Sequence, residues 1–156
     1  EDQVKTEIDV NELIGSVLKM IRPDLRRNRI DLHLSLDAET KPVLANAVQL
    51  QQLILNLVMN AIDAMRSVPS RVLSIASGIS DDQSSVRVSV EDTGNGIDRS
   101  NLEEIFKPFF TTKERGMGMG LAICSTIIQK HEGRIWARSN AGGGSILWFE
   151  IPIKSG

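Results

Sequence analysis

The chain has 156 residues, with 18 Lys and Arg against 20 Asp and Glu and a formal net charge of −2. That length suits one domain that buries roughly two-thirds of the surface its unfolded chain would expose, and the balanced charge argues against a nucleic-acid or anionic-membrane partner. A lone cysteine, Cys124 in an apolar stretch, excludes an internal disulfide and a cysteine-rich zinc site and points to a reducing, cytoplasmic setting.

No apolar run reaches the ~20 residues that cross a bilayer, and Glu1-Asp2-Gln3 is unlike a signal peptide. The acidic start without an initiator Met reads as a piece of a longer protein, with any membrane anchor elsewhere in the full-length chain.

Residues 3–8 read as a short strand. A helix follows from Val10 to Arg27, where Val10, Leu13, Ile14, Val17, Leu18 and Ile21 recur at helical spacing and Asp9 or Asn11 is a candidate cap. Ile30, Leu32, Leu34 and Leu36 alternate with Asp31, His33 and Ser35 as in a half-buried strand, and Val43-Leu44 forms a second, short one. From Leu44 to Met65 only Asp63 is charged, which makes a central helix buried on most of its circumference. At ~100° per residue, Gln49, Gln52, Asn56, Asn60 and Asp63 fall within roughly 80° of one another. An amide stripe therefore cuts an otherwise apolar helix.

Strands at 71–79 and 84–92, joined by the polar turn Ser80-Asp81-Asp82-Gln83, make an antiparallel hairpin. Val86, Val88 and Val90 alternate with Arg87, Ser89 and Glu91, so Asp92 ends its strand facing a pocket, able to accept an exocyclic amine such as that of adenine. Residues 93–119 are irregular and charge-rich, with a hint of helix at 99–105, and the segment at roughly 107–118 reads as a lid. A helix over 119–131 and strands at 133–138 and 145–153, turned by Gly142-Gly143-Gly144, complete the chain.

Chemistry concentrates in two glycine runs, Asp92-Thr93-Gly94-Asn95-Gly96 and Gly116-Met117-Gly118-Met119-Gly120-Leu121. Glycines let backbone N–H groups approach phosphates, and the second run ends at Leu121 on a helix N-terminus that favours anions. Amide oxygens at Asn56 and Asn60 are hard neutral ligands of the kind magnesium takes alongside a nucleotide's phosphates. Each feature alone has a plain explanation, as a solvated helix edge, a turn or a connector. Their order and spacing together do not.

Asn56-Leu57-Val58-Met59-Asn60-Ala61, the Asp92 run, Ile105 through Lys113 and the Gly116 run closely resemble the asparagine, first glycine, phenylalanine and second glycine boxes of the catalytic ATP-binding domain of two-component sensor histidine kinases. The resemblance continues through His131-Glu132-Gly133 and Ser145 to Pro152, nearly the whole chain. It implies the Bergerat fold of the GHKL superfamily, an α/β sandwich of a mixed sheet on three helices with an ATP lid. It also implies ATP and Mg2+ as cofactors, with Asn60 the principal metal ligand and Asn56 a second polar contact to metal or phosphate. Asp92 would bind the adenine amine, Gly94 and Gly96 would let the chain pass close to the base, and Ser145 would support Asp92 through water. Gly116, Gly118, Gly120 and Leu121 would cradle the phosphates, and Lys113 is a candidate cation for the terminal one. Phe106, Phe109 and Phe110 would anchor the lid or meet a neighbouring domain.

The implied reaction is donation of the γ-phosphoryl group to a histidine on a separate dimerisation and phosphoacceptor domain, from which a response regulator receives it. His33 and His131 read as structural, no residue is assigned as catalytic, and the isolated domain is expected to be a monomer. Departures from the family pattern are Met117 and Met119 in the lid, Glu132 at a common glycine, and Asp63 where many relatives carry a phosphate-reaching cation. Related ATPases of the fold typically carry a glutamate where this chain has Asn56, and an amide is no general base at neutral pH, which favours transfer over hydrolysis. A GHKL-type ATPase, a protein serine kinase and a degenerate nucleotide-binding interaction module remain as alternatives.

Overall fold

A computed structural model describes residues 4–107 and 120–154. In chain order the elements are β1 (Thr6–Ile8), α1 (Val10–Arg27), β2 (Asp31–Leu36), β3 (Val43–Ala45), α2 (Ala47–Ala64), β4 (Val72–Ile79), β5 (Ser85–Asp92), α3 (Gly120–Lys130), β6 (Arg134–Ser139) and β7 (Ser145–Pro152). Two short 3-10 turns, Arg99–Asn101 and Glu104–Phe106, stand where the sequence hints at helix.

Asp9, not Asn11, caps α1: its Oδ1 accepts from the backbone N–H of Asn11 at 2.9 Å and of Glu12 at 3.4 Å. Asn11 is used otherwise. Its amide donates to the Asp37 carbonyl at 2.9 Å and accepts from Ser77 Oγ at 2.6 Å, tying the helix start to the far ends of β2 and β4. α2 begins later than its composition suggests, because Leu44 and Ala45 pair with β1 and Asn46 caps the helix through Gln49 N–H at 2.9 Å. The residue before β4, Arg71, belongs to the loop: its guanidinium donates to the carbonyls of Arg66, Val68 and Asn28 and pins the exit from α2.

β1 and β3 form a small antiparallel sheet, and the main sheet runs β2-β4-β5-β7-β6. It is mixed, with β2 parallel to β4 and every other pair antiparallel. Period-two alternation sends Val86, Val88 and Val90 of β5 and Leu147, Phe149 and Ile151 of β7 to one buried face, where the apolar sides of α1, α2 and α3 cover them. Arg87, Ser89, Glu91, Trp148 and Glu150 lie on the opposite face. The expected α/β sandwich, one mixed sheet under three helices, is the observed fold.

Candidate nucleotide site

α2 is the spine of the site. Leu50, Leu53, Ile54, Leu57, Val58, Ala61 and Ile62 are buried against the sheet and neighbouring helices, while Gln49, Asn56, Asn60 and Asp63 are half-buried and Gln52 is exposed. Burying a carboxamide without partners costs roughly 1–3 kcal/mol, so an amide row belongs at the edge of a core and not inside it. Helical geometry alone delivers that row to one edge of the domain.

At the C-terminal end of α2 the chain builds a tight corner. Asp92 closes β5 and is 1% exposed, its Oδ1 accepting from Gly94 N–H at 2.8 Å and its Oδ2 from Ser145 Oγ at 3.1 Å. The Ser145 bond is direct and replaces the water-mediated link expected from the sequence, because Asp92 and Ser145 are cross-strand partners in the β5–β7 register. Gly94 has a packing role in the fold. A Cβ there would stand 2.2 Å from the Ala64 carbonyl oxygen, and the next residue, Asn95, donates its N–H to that oxygen at 3.2 Å. The glycine lets the corner press onto the end of α2. Gly144 is constrained from the other side, with φ +89° and a would-be Cβ 2.0 Å from the Asp92 carbonyl oxygen. Thr93 fixes the turn by donating to the Ser70 carbonyl at 2.7 Å and accepting from Val72 N–H at 3.0 Å.

Midway along α2, Asn56 Nδ2 donates to the Gly120 carbonyl at 3.3 Å, joining α2 to the first residue of α3. Gly120 closes the second glycine run, and Leu121 beside it packs on the core. Asn56 and Ala64 are just over two helical turns, ~12 Å, apart on α2, with Asn60 midway. The structure thus sets the Asp92 corner at the end of α2 and Gly120, the last glycine of the second run, against its middle. Cys124, one turn into α3, is buried, its thiol donates to the Leu53 carbonyl at 3.8 Å, and burial pushes its pKa up to about 12.

Asp63 pairs with Arg66 at 3.2 Å and orders the end of α2. His131 is buried, with Nδ1–H donating to the Ile127 carbonyl at 2.8 Å and Nε2 accepting from Asn46 N–H at 3.1 Å, so it is structural, as its position suggests, and locks the end of α3 to the start of α2. Sequence reasoning missed Asn46, whose signal was an Asn directly before an apolar periodic run. Glu132 occupies a left-handed conformation, φ +58°, of the kind glycine adopts most readily. Phe106 packs on the core and Lys107 pairs with Glu104 at 3.1 Å. Phe109, Phe110, Lys113, Gly116, Met117, Gly118 and Met119, hence most of the expected lid, lie outside the described residues. Among the described residues no group of three His, Cys, Asp or Glu could hold a metal ion.

Residues 45–155 match the family model of histidine kinase-, DNA gyrase B- and HSP90-like ATPases. The chain belongs to this family. Among members, it is 36% identical over 149 residues to the sensor histidine kinase TmoS of Ectopseudomonas mendocina, covering 94% of this chain and 15% of TmoS. It is 42% identical over 127 residues to the sensor protein FixL of Bradyrhizobium diazoefficiens, covering 81% of this chain and 25% of FixL. The chain thus spans a quarter or less of these relatives' length. The nucleotide-free catalytic domain of the histidine kinase ThkA superposes with a TM-score of 0.84 at 38% identity over 95% of both chains. ThkA in complex with the response regulator TrrA gives 0.82 at 36% identity, over 96% of this chain and 42% of that one. Full-length ShkA in complex with AMPPNP gives 0.87 at 25% identity, over 100% of this chain and 32% of ShkA.

Proposed function

We propose that residues 1–156 are the catalytic and ATP-binding domain of a sensor histidine kinase, binding Mg-ATP along α2 beneath a lid at 107–118. In this reading it donates the γ-phosphoryl group to a histidine on a separate dimerisation and phosphoacceptor domain, for relay to a response regulator. The observation that carries it is the buried Asp92 carboxyl at the end of β5, held by Gly94 N–H and Ser145 Oγ, in a corner that presses on the end of the helix bearing Asn60 and Asn56. ShkA, solved with AMPPNP, and ThkA, solved with its regulator TrrA, support both halves of the reading.

In this reading Asp92 accepts the exocyclic amine of adenine; guanine presents an acceptor at the same position and would leave two acceptors facing each other in a buried corner. Asn60, with Asn56 beside it, offers amide oxygens to a magnesium ion, which when bound neutralises phosphate charge. Gly116, Gly118 and Gly120 bring N–H groups of the α3 start to the phosphates, with Leu121 seating that start on the core and Lys113 as a cation for the terminal phosphate. A neutral histidine nitrogen needs positioning more than deprotonation, so the lack of a carboxylate at position 56 suits transfer and disfavours hydrolysis. No described helix is long and apolar enough to cross a membrane. In this reading the domain works in the cytoplasm, where ATP is supplied.

The test is phosphoryl transfer from γ-labelled ATP to a purified cognate phosphoacceptor domain. Labelled phosphohistidine on the acceptor, abolished by Asn60→Ala, is the expected result. Steady-state phosphate release without transfer, or label on serine, contradicts the proposal.

A further inference from the structure

The chain's only two tryptophans, Trp136 and Trp148, are cross-strand partners on the face of the sheet opposite the helices, far from the α2 edge. Their rings stack with centroids 5.6 Å apart at 17°. Arg134 and Arg87 lie 4.7 and 5.6 Å from the Trp136 ring centre, and Arg138 lies 5.1 Å from that of Trp148. The one acidic group inside this cluster, Glu150, is taken by Arg87 at 2.6 Å, and Arg134 is 3.8 Å away with 72% of its side chain exposed. Arg134 and Arg138 are therefore exposed guanidiniums placed over indole rings, Arg134 also within ion-pair distance of Glu150. Beside Trp148 the sheet stays bare: Ala76, Gly78 and Ser89, with Arg87, line a groove of about 190 Å³.

A solvent-facing antiparallel sheet ordinarily presents small polar side chains. Tryptophan and arginine around a bare groove are instead the residue types that concentrate binding energy at interfaces. We propose that this outer face is a docking surface for an acidic protein segment, with an apolar side chain packing on the Trp pair between two carboxylates that meet Arg134 and Arg138. Charge selects the partner: around the Trp pair Arg87, Arg134 and Arg138 stand against Glu150 and Glu91, with Arg87 and Arg134 sharing Glu150. Spacing selects its form. The two arginines are four residues apart on β6, ~13 Å, a distance an extended segment reproduces with acidic, apolar and acidic side chains at alternate positions on one side.

Both tryptophans lie on this face, so every indole N–H signal of the protein reports on it. The probe is the peptide Glu-Ser-Leu-Ser-Glu-Ser-Leu-Ser-Glu, titrated into the isotope-labelled domain, with its Lys-for-Glu counterpart as control. The acidic peptide is expected to shift both indole signals saturably, and Arg134→Glu with Arg138→Glu to weaken that response about tenfold or more. The Gly94 amide signal should stay unmoved. Because both arginines are exposed, the double variant should fold, which an unchanged response to Mg-AMPPNP verifies independently of the outer face. No indole shift at millimolar peptide, an equal shift with the lysine peptide, or an undiminished response in the variant overturns the proposal. Shifts that grow with protein concentration alone would give the face to a second copy of the chain and overturn it as well.

Discussion

Ser145 Oγ lies 3.1 Å from Asp92 Oδ2, and the two residues face each other across the β5–β7 ladder. The bond orients the carboxyl proposed to read adenine, so Ser145→Ala should weaken ATP-analogue binding without unfolding the domain. One lost hydrogen bond to a charged group predicts a roughly 5- to 30-fold rise in Kd, allowing for relaxation. Ser145→Thr keeps the hydroxyl and should stay within about threefold of the parent. Equal binding by the alanine variant in a calorimetric titration would show that the serine does not orient Asp92.

Gly94 and Gly120 make opposite predictions although both are box glycines. A Cβ at Gly94 meets the Ala64 carbonyl oxygen at 2.2 Å, whereas one at Gly120 meets nothing within 4 Å. Gly94→Ala should destabilise by at least ~1–3 kcal/mol, the range for overpacking, and lower Tm by roughly 2–4 °C per kcal/mol in a domain of this size. Gly120→Ala, at the first residue of α3, should leave Tm within about 2 °C. Scanning calorimetry of the pair separates the two.

Cys124 is held between α3 and α2 and its thiol is pushed up to about 12 by burial. At pH 8 only about one native thiol in ten thousand would be ionised, against roughly a quarter for a free cysteine. Iodoacetamide should therefore label the native domain about a thousandfold more slowly than the urea-unfolded chain. Comparable rates would mean that α3 opens from α2 readily.

The β4–β5 turn supplies a pH signature away from the site. Asp82 Oδ1 accepts from Ser84 Oγ at 2.6 Å, Ser84 N–H at 3.0 Å and Ser80 Oγ at 2.8 Å, and these bonds lower its pKa from 3.8 to about 2. A depressed folded-state pKa gives stability that is present above the unfolded value and lost as pH falls toward the folded one. The parent should accordingly lose stability between about pH 4 and pH 2 more steeply than Asp82→Asn. Parallel denaturation curves across that window would rule out the turn bonds as the cause.

What the sequence shows and hides follows from the range of each interaction. α1, the hairpin and the amide stripe were legible because periodicity and capping are local: Val10 to Arg27 and the Asn56/Asn60 edge appear where the residues alone put them. The strand at Val43-Leu44 was legible, but the start of α2 was set too early because Ala45 is apolar enough for a buried helix, and its pairing with Thr6 and the cap at Asn46 move the start to Ala47. Ser145 was read as acting through water because register, which sets it against Asp92, is a property of two strands together. Gly94 pressing on Ala64 and His131 accepting from Asn46 are long-range packing facts with no periodic trace.

The proposed adenine contact closes β5 and the proposed metal contacts lie on α2, and one calorimetric titration addresses both: AMPPNP into the domain, with and without magnesium, for the parent, Asp92→Asn and Asn60→Ala. The expected result is binding by the parent that magnesium strengthens. Asp92→Asn should lose most affinity under both conditions, and Asn60→Ala should lose chiefly the magnesium enhancement. A folded parent that does not bind, or variants that bind as the parent does, would contradict the site.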